Sequence, residues 1–151
     1  MTENVLSRRK AREILFGLLF ESEFRTDESY VEIYASSAEQ RVIPEDKYIK
    51  TAYYAINENK EAIDEVISSC AKSWRVDRLS RMSRSLLRLG AYEMMYEEEI
   101  PYSVTINEVI ELTKLYDDPK ARPFINGVLN GMKDKLSTSG VSKKDKDESK
   151  K

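Results

Sequence analysis

The chain is 151 residues long and carries 25 basic and 27 acidic side chains, no histidine and one cysteine. A formal charge of −2 excludes a protein that coats nucleic acid through its overall charge, 40% apolar composition excludes global disorder, and the length predicts one domain. Without histidine the commonest general base and metal ligand are missing, and one cysteine excludes an internal disulfide and any multi-cysteine zinc site.

Only five glycines and four prolines interrupt a periodicity that is helical nearly throughout. Ser7 is placed to cap a first helix whose apolar stripe is Ile14, Leu15, Leu18 and Leu19. Its first turns hold Arg8, Arg9, Lys10 and Arg12, cations that oppose the helix dipole. A functional role accounts for accepting that cost, as does a frayed start that orders on binding. These cations run straight into an amphipathic segment, unlike a signal peptide, and the longest apolar run, residues 14–20, is too short to span a bilayer. Both points lead to the expectation of a soluble cytoplasmic protein.

Asp27 can cap a second helix bearing Tyr30, Ile33 and Tyr34, and Pro44 fits the first position of a third with Tyr48, Ile49, Ala52, Tyr53 and Ile56. Asn59 can cap a fourth, with Ile63, Val66, Ile67 and Cys70 facing inward, so Cys70 reads as a buried structural thiol rather than a reactive one. Trp74 is expected to close this helix against the core. Ser80 can cap a fifth helix with Leu79, Met82, Leu86, Leu89 and Tyr92 or Met94 inward, while Arg81, Arg84 and Arg88 line another face together. Pro101 opens a sixth helix with Val104, Val109, Ile110 and Leu112. Asp117, Asp118 and Pro119 stop it and restart the chain into a last stretch with Phe124, Val128, Leu129 and Met132. The prediction is an all-α fold of about seven helices over residues 1–136, followed by a disordered polar tail over 137–151, STSGVSKKDKDESKK.

Charge is segregated. Residues 13–74 hold thirteen acids and six bases, a net of −7, and residues 89–136 have a net of −4. Residues 75–88 hold Arg75, Arg78, Arg81, Arg84 and Arg88 against Asp77 alone, so eight of eleven arginines lie there or in residues 8–12. Two arginine clusters on an acidic body suggest a local anionic partner, the alternative being solvated helix faces. Catalytic chemistry finds little support. There is no glycine-rich phosphate loop, and the spacing of Gly127 and Gly131 fits helix packing better. Glu108 and Glu111 share a helix face, which reads as solvation or structural hydrogen bonding ahead of a paired acid site. No enzyme activity, cofactor or metal is expected.

Four segments resemble the NusB family of transcription antitermination proteins: RRKAREILFGLLFES from Arg8, RLSRMSRSLLRLGAYEM from Arg78, IPYSVTINEVIELTKLY from Ile100 and FINGVLNGM from Phe124. They cover about three quarters of the chain in the family's order, and IPYSVTINE followed by FINGVL is the specific combination. The resemblance implies a compact helical bundle of two subdomains around a shared core, without catalytic activity or cofactor. It implies binding to the boxA element of ribosomal-operon RNA together with the ribosomal protein NusE, and assembly with NusA, NusG and RNA polymerase. By position the family's RNA surface falls on Arg8, Arg9, Lys10, Arg12, Phe20, Arg88, Phe124 and Asn126. Phe20 stands where tyrosine is frequent, which keeps stacking but removes a hydroxyl. Lys10 stands where arginine is frequent, which keeps charge but loses the fork.

Single-stranded RNA is bound by cations on phosphates and rings stacked on splayed bases, which suits this set. From periodicity alone both phenylalanines fit the core better. The resemblance reverses that for Phe124 and leaves Phe20 partly buried and partly used. Asn107 in the INE block can read a base, though a cap or interhelical hydrogen bond suits it better. The NusE-facing surface falls near residues 77–96, with Asp77, Ser83, Tyr92 and Glu93 as weak candidates. Ser83 lacks the acid found there in the family, and Glu93 has the alternative of holding the central helix in place. A homodimer covering the arginine surface would be autoinhibitory.

Two other functions compete. A NusB-like domain also precedes the catalytic domain of some ribosomal-RNA cytosine methyltransferases, but these 151 residues contain no cofactor-binding α/β region. A purely protein-binding helical module would tolerate neutralised arginines.

Overall fold

The computed structural model describes residues 6–40, 43–72 and 76–138. Among them lie seven α-helices, one short 3-10 turn and no strand. The chain divides into two compact units, Met1–Asn59 and Lys60–Lys151. The expected tail lies outside the described residues from 139 onward, and Ser137 and Thr138 belong to the last helix. Trp74 and Arg75 also lie outside them.

The first unit holds α1 (Arg8–Ser22), α2 (Tyr30–Glu39) and α3 (Lys47–Glu58). Ser7 caps α1 as expected, its hydroxyl accepting from the Lys10 amide at 3.0 Å. Asp27 does not cap α2. Ser29 caps it instead and forms a reciprocal capping box with Glu32 in the first turn, which satisfies two otherwise orphaned amides. Pro44 likewise precedes α3, which is capped by Asp46 accepting from the Ile49 amide. The packing stripes hold: Leu15, Leu18, Leu19, Ile33, Tyr48, Ile49, Ala52, Tyr53 and Ile56 are buried, with Ile14 half-buried. Ser22 and Tyr53 share a hydrogen bond of 2.7 Å that ties α1 to α3. Burial pushes the Tyr53 hydroxyl above its ordinary pKa, so it stays neutral.

The second unit holds α4 (Lys60–Cys70), the 3-10 turn Val76–Arg78, α5 (Arg81–Tyr96), α6 (Tyr102–Tyr116) and α7 (Ala121–Thr138). Asn59 does not cap α4. Its side chain donates to the Ala55 carbonyl and closes α3 instead. Ser80 caps α5 as expected, accepting from the Ser83 amide. Packed against α4, α6 and α7, α5 is the centre of this unit, with Leu86, Leu87, Leu89, Ala91 and Met94 buried. Gly90 permits the close approach, since a Cβ there would lie 2.8 Å from Leu129 Cδ2 and 3.4 Å from Val109 Cγ2. The expected packing role of Gly127 and Gly131 holds for one of them. A Cβ on Gly131 would meet Cys70 Cβ at 3.3 Å, whereas Gly127 faces open space. Cys70 is half-buried rather than buried, because α4 presents it at the edge of this contact.

Candidate nucleic-acid interface

In the first unit, Arg8, Arg9 and Lys10 are exposed in the opening turn of α1, which contains no acid. The Arg8 guanidinium carbon sits 4.3 Å from the centre of the Tyr48 ring on α3, a cation–π contact that limits its motion without neutralising it. The Lys10 ammonium lies 3.5 Å from Glu13 one turn on, a surface pair that phosphate can outcompete. Arg12 differs: it is 4% exposed and belongs to the buried face of α1. Its position explains this, since residues three, four and seven further on are Leu15, Phe16 and Leu19. In this conformation Arg12 does not present its charge to solvent.

Phe16 and Phe20 on α1 and Phe24 in the turn after it form a ladder that runs from buried to exposed. Phe16 and Phe20 stack at 6.2 Å, and Phe24 meets Phe20 edge-on at 5.1 Å. Phe20 is half-buried, so one ring combines packing with a surface available for stacking. Beyond the ladder, Arg25 donates to Glu21 and Glu28 at 2.6 Å each and to Ser36 on α2 at 3.1 Å. The Arg25 hydrogen bonds hold the Glu28 carboxyl below its ordinary range.

In the second unit the arginine cluster is not the continuous cationic face that its spacing predicted. Arg84 donates to the carbonyls of Val76 and Leu79 at 3.1 Å each and so closes the 3-10 turn. Arg88 is clamped in bidentate fashion on Asp64 of α4, Nε to Oδ1 and Nη2 to Oδ2 both at 2.8 Å, with its side chain 13% exposed. Arg78 and Arg81 remain exposed. Further along, Phe124 is half-buried and Asn126 exposed on α7. Asn130 Nδ2 donates to the Asn126 carbonyl at 2.9 Å and to its Oδ1 at 3.3 Å. Asn107 is exposed on α6 and, among the described residues, joins no two helices.

Three of the four candidate partner residues face inward. Ser83 donates to Asp117 Oδ2 at 3.0 Å, Tyr92 to Glu97 Oε2 at 2.5 Å, and Glu93 accepts from Thr105 at 2.7 Å with both side chains fully buried. Glu93 therefore holds α5 to α6, and Asp77 alone of the four is exposed. Sequence reasoning missed Tyr48, read only as core, and Asp64, one of thirteen acids in an acidic stretch with nothing local to mark it as the partner of Arg88. Among the described residues no helix is long and apolar enough to cross a membrane, and no group of three or more potential ligands is placed to hold a metal ion.

Residues 9–134 match the NusB family. A transcription antitermination protein NusB from Clostridium botulinum is 40% identical over 129 residues, 84% of this chain and 95% of that relative. The NusB structure from T. maritima is similar with a TM-score of 0.75 at 35% identity, covering 85% of this chain and 92% of that one. A crystal structure of the antitermination factors NusB and NusE in complex with double-stranded RNA is similar with a TM-score of 0.74 at 27% identity, covering 85% of this chain and 96% of that one.

Proposed function

The chain belongs to the NusB family, and from that premise we propose that it is a cytoplasmic antitermination factor that binds boxA RNA of ribosomal operons together with NusE. It acts, not as an enzyme, within a complex containing RNA polymerase, NusA and NusG. The observation that carries this reading is the opening turn of α1, where three exposed cations share a turn with no acid. Such a turn destabilises its own helix and is suited to phosphates.

In this reading Arg8, Arg9 and Lys10 contact phosphates, Phe20 and Phe124 stack on bases, and Asn126 hydrogen-bonds one. Arg12 and Arg88 are positioning residues, the first inside α1 and the second through Asp64. Stacking on each ring contributes roughly 1–3 kcal/mol when a base uses it. Asp77 is the exposed candidate for the NusE surface.

The test is binding of the purified chain to boxA RNA and to a scrambled RNA of the same length, each with and without NusE. The expected result is preference for boxA that NusE strengthens. Equal binding to both RNAs under both conditions would remove the assignment.

A further inference from the structure

The linker between α6 and α7 and the first turns of α7 enclose a cleft of about 280 Å³, at the small end of ligand sites and matched to one ring system rather than a whole nucleotide. It is lined by Ile110, Pro119, Arg122, Pro123 and Asn126. Ile110 and the two prolines supply apolar walls that can cover the faces of a planar ring. The polar lining is donor-rich. Arg122 Nε is buried and has no hydrogen-bond partner, which leaves a charged group's donor unused. Asn126 Oδ1 already accepts from Asn130, so its free capacity to give hydrogens is the NH₂.

Two donors ask for two acceptors. A phosphate would supply them, but it has no planar face to set against Ile110, Pro119 and Pro123, whereas a base brings both the acceptor edge and the ring. Guanine presents O6 and N7 as adjacent acceptors, the pair that arginine reads most often, whereas adenine places its N6 amino group where the second acceptor is needed. Phe124 follows Pro123 directly and is half-buried, so a neighbouring base has a ring to stack on.

We propose that this cleft receives one unstacked guanine of the bound RNA, its O6/N7 edge held by Arg122 and Asn126. The inference rests on the RNA-binding reading above and names Arg122 as a specificity-determining residue within it.

The experiment uses the full chain with NusE and two boxA RNAs, one ordinary and one with each guanosine replaced by 7-deazaguanosine, which lacks only the N7 acceptor. Wild type should bind the deaza RNA about tenfold more weakly, within the discrimination usual for one such contact. Arg122→Ala should bind both RNAs equally and at the weaker level, with an unchanged melting temperature. Asn126→Ala, at an exposed position, should reduce the difference without disturbing the fold. Wild type indifferent to the deaza substitution, or Arg122→Ala retaining the full difference, would overturn the inference while leaving RNA binding intact. Failure of wild type to bind ordinary boxA RNA at all would strike the functional reading as well.

Discussion

At the start of α1, Arg8, Arg9 and Lys10 lie exposed in a turn without an acid. Around the start of α5, Arg84 is bonded to the Val76 and Leu79 carbonyls, and Arg88 is clamped on Asp64. The two stretches look alike in composition, yet one keeps its cations at the surface and the other uses two of them to build the second unit. The difference teaches that arginine density locates positive charge along the chain but not its availability. Availability depends on whether carbonyls left over at a turn, or a carboxylate on a neighbouring helix, come within reach. In α1 the opening turn itself holds no acid, and Glu13 one turn on contacts Lys10 at 3.5 Å.

The contrast predicts opposite consequences for substitution in the two regions. The largest loss of stability is expected from Arg88→Ala, which strands Asp64 in a partly buried site and should cost about 2 kcal/mol in urea unfolding. Asp64→Ala should cost a similar amount, and stability unchanged in both would break the claim that this arginine is structural. Thr105→Val keeps the shape of the α5–α6 contact but removes the hydroxyl that donates to buried Glu93, for a smaller expected loss of about 1 kcal/mol by the same measurement.

A smaller effect is expected at α1. Replacing Arg8, Arg9 and Lys10 together by alanine relieves the unfavourable dipole interaction but loses the Tyr48 contact, so stability should stay within about 1 kcal/mol. The smallest effect concerns the Arg25–Glu28 contact in the first unit. The Glu28 pKa is lowered in the folded state, so its contribution is fully present above the ordinary carboxylate range and fades as pH falls through the lowered value. In an acid titration, the wild type and Glu28→Gln should differ slightly at neutral pH and converge in acid.

Much of the fold was legible because amphipathic stripes recur at helical spacing, and Ser7 and Ser80 lay where helix caps belong. Two helix starts were not, those of α2 and α3, because neighbouring residues offered competing starts. Ser29 prevailed over Asp27 through its partner Glu32, and α3 starts after Asp46 rather than at Pro44 because the Asp46 carboxylate reaches the Ile49 amide. At the site, the cationic turn of α1 was legible from local sequence. The burial of Arg12 was also readable from its register with Leu15, Phe16 and Leu19, a signal outweighed by the neighbouring charges. The Arg88–Asp64 pair was not readable, because its members lie 24 residues apart and nothing in the spacing selects one acid among many. The same holds for Arg122, whose buried Nε becomes apparent only when Ile110 and the prolines are brought around it.

The most direct test of the division between the two arginine stretches is the salt dependence of boxA RNA binding in the presence of NusE. The wild type should be compared with the variant carrying alanine at positions 8, 9 and 10. Each phosphate contact to a single strand contributes about 0.7 to the slope of log affinity against log salt. The account predicts that the triple variant melts like the wild type, binds more weakly and has a slope shallower by about 2. An unchanged slope at unchanged stability would contradict it, because the cations of the first turn would then not be the ones that meet the RNA.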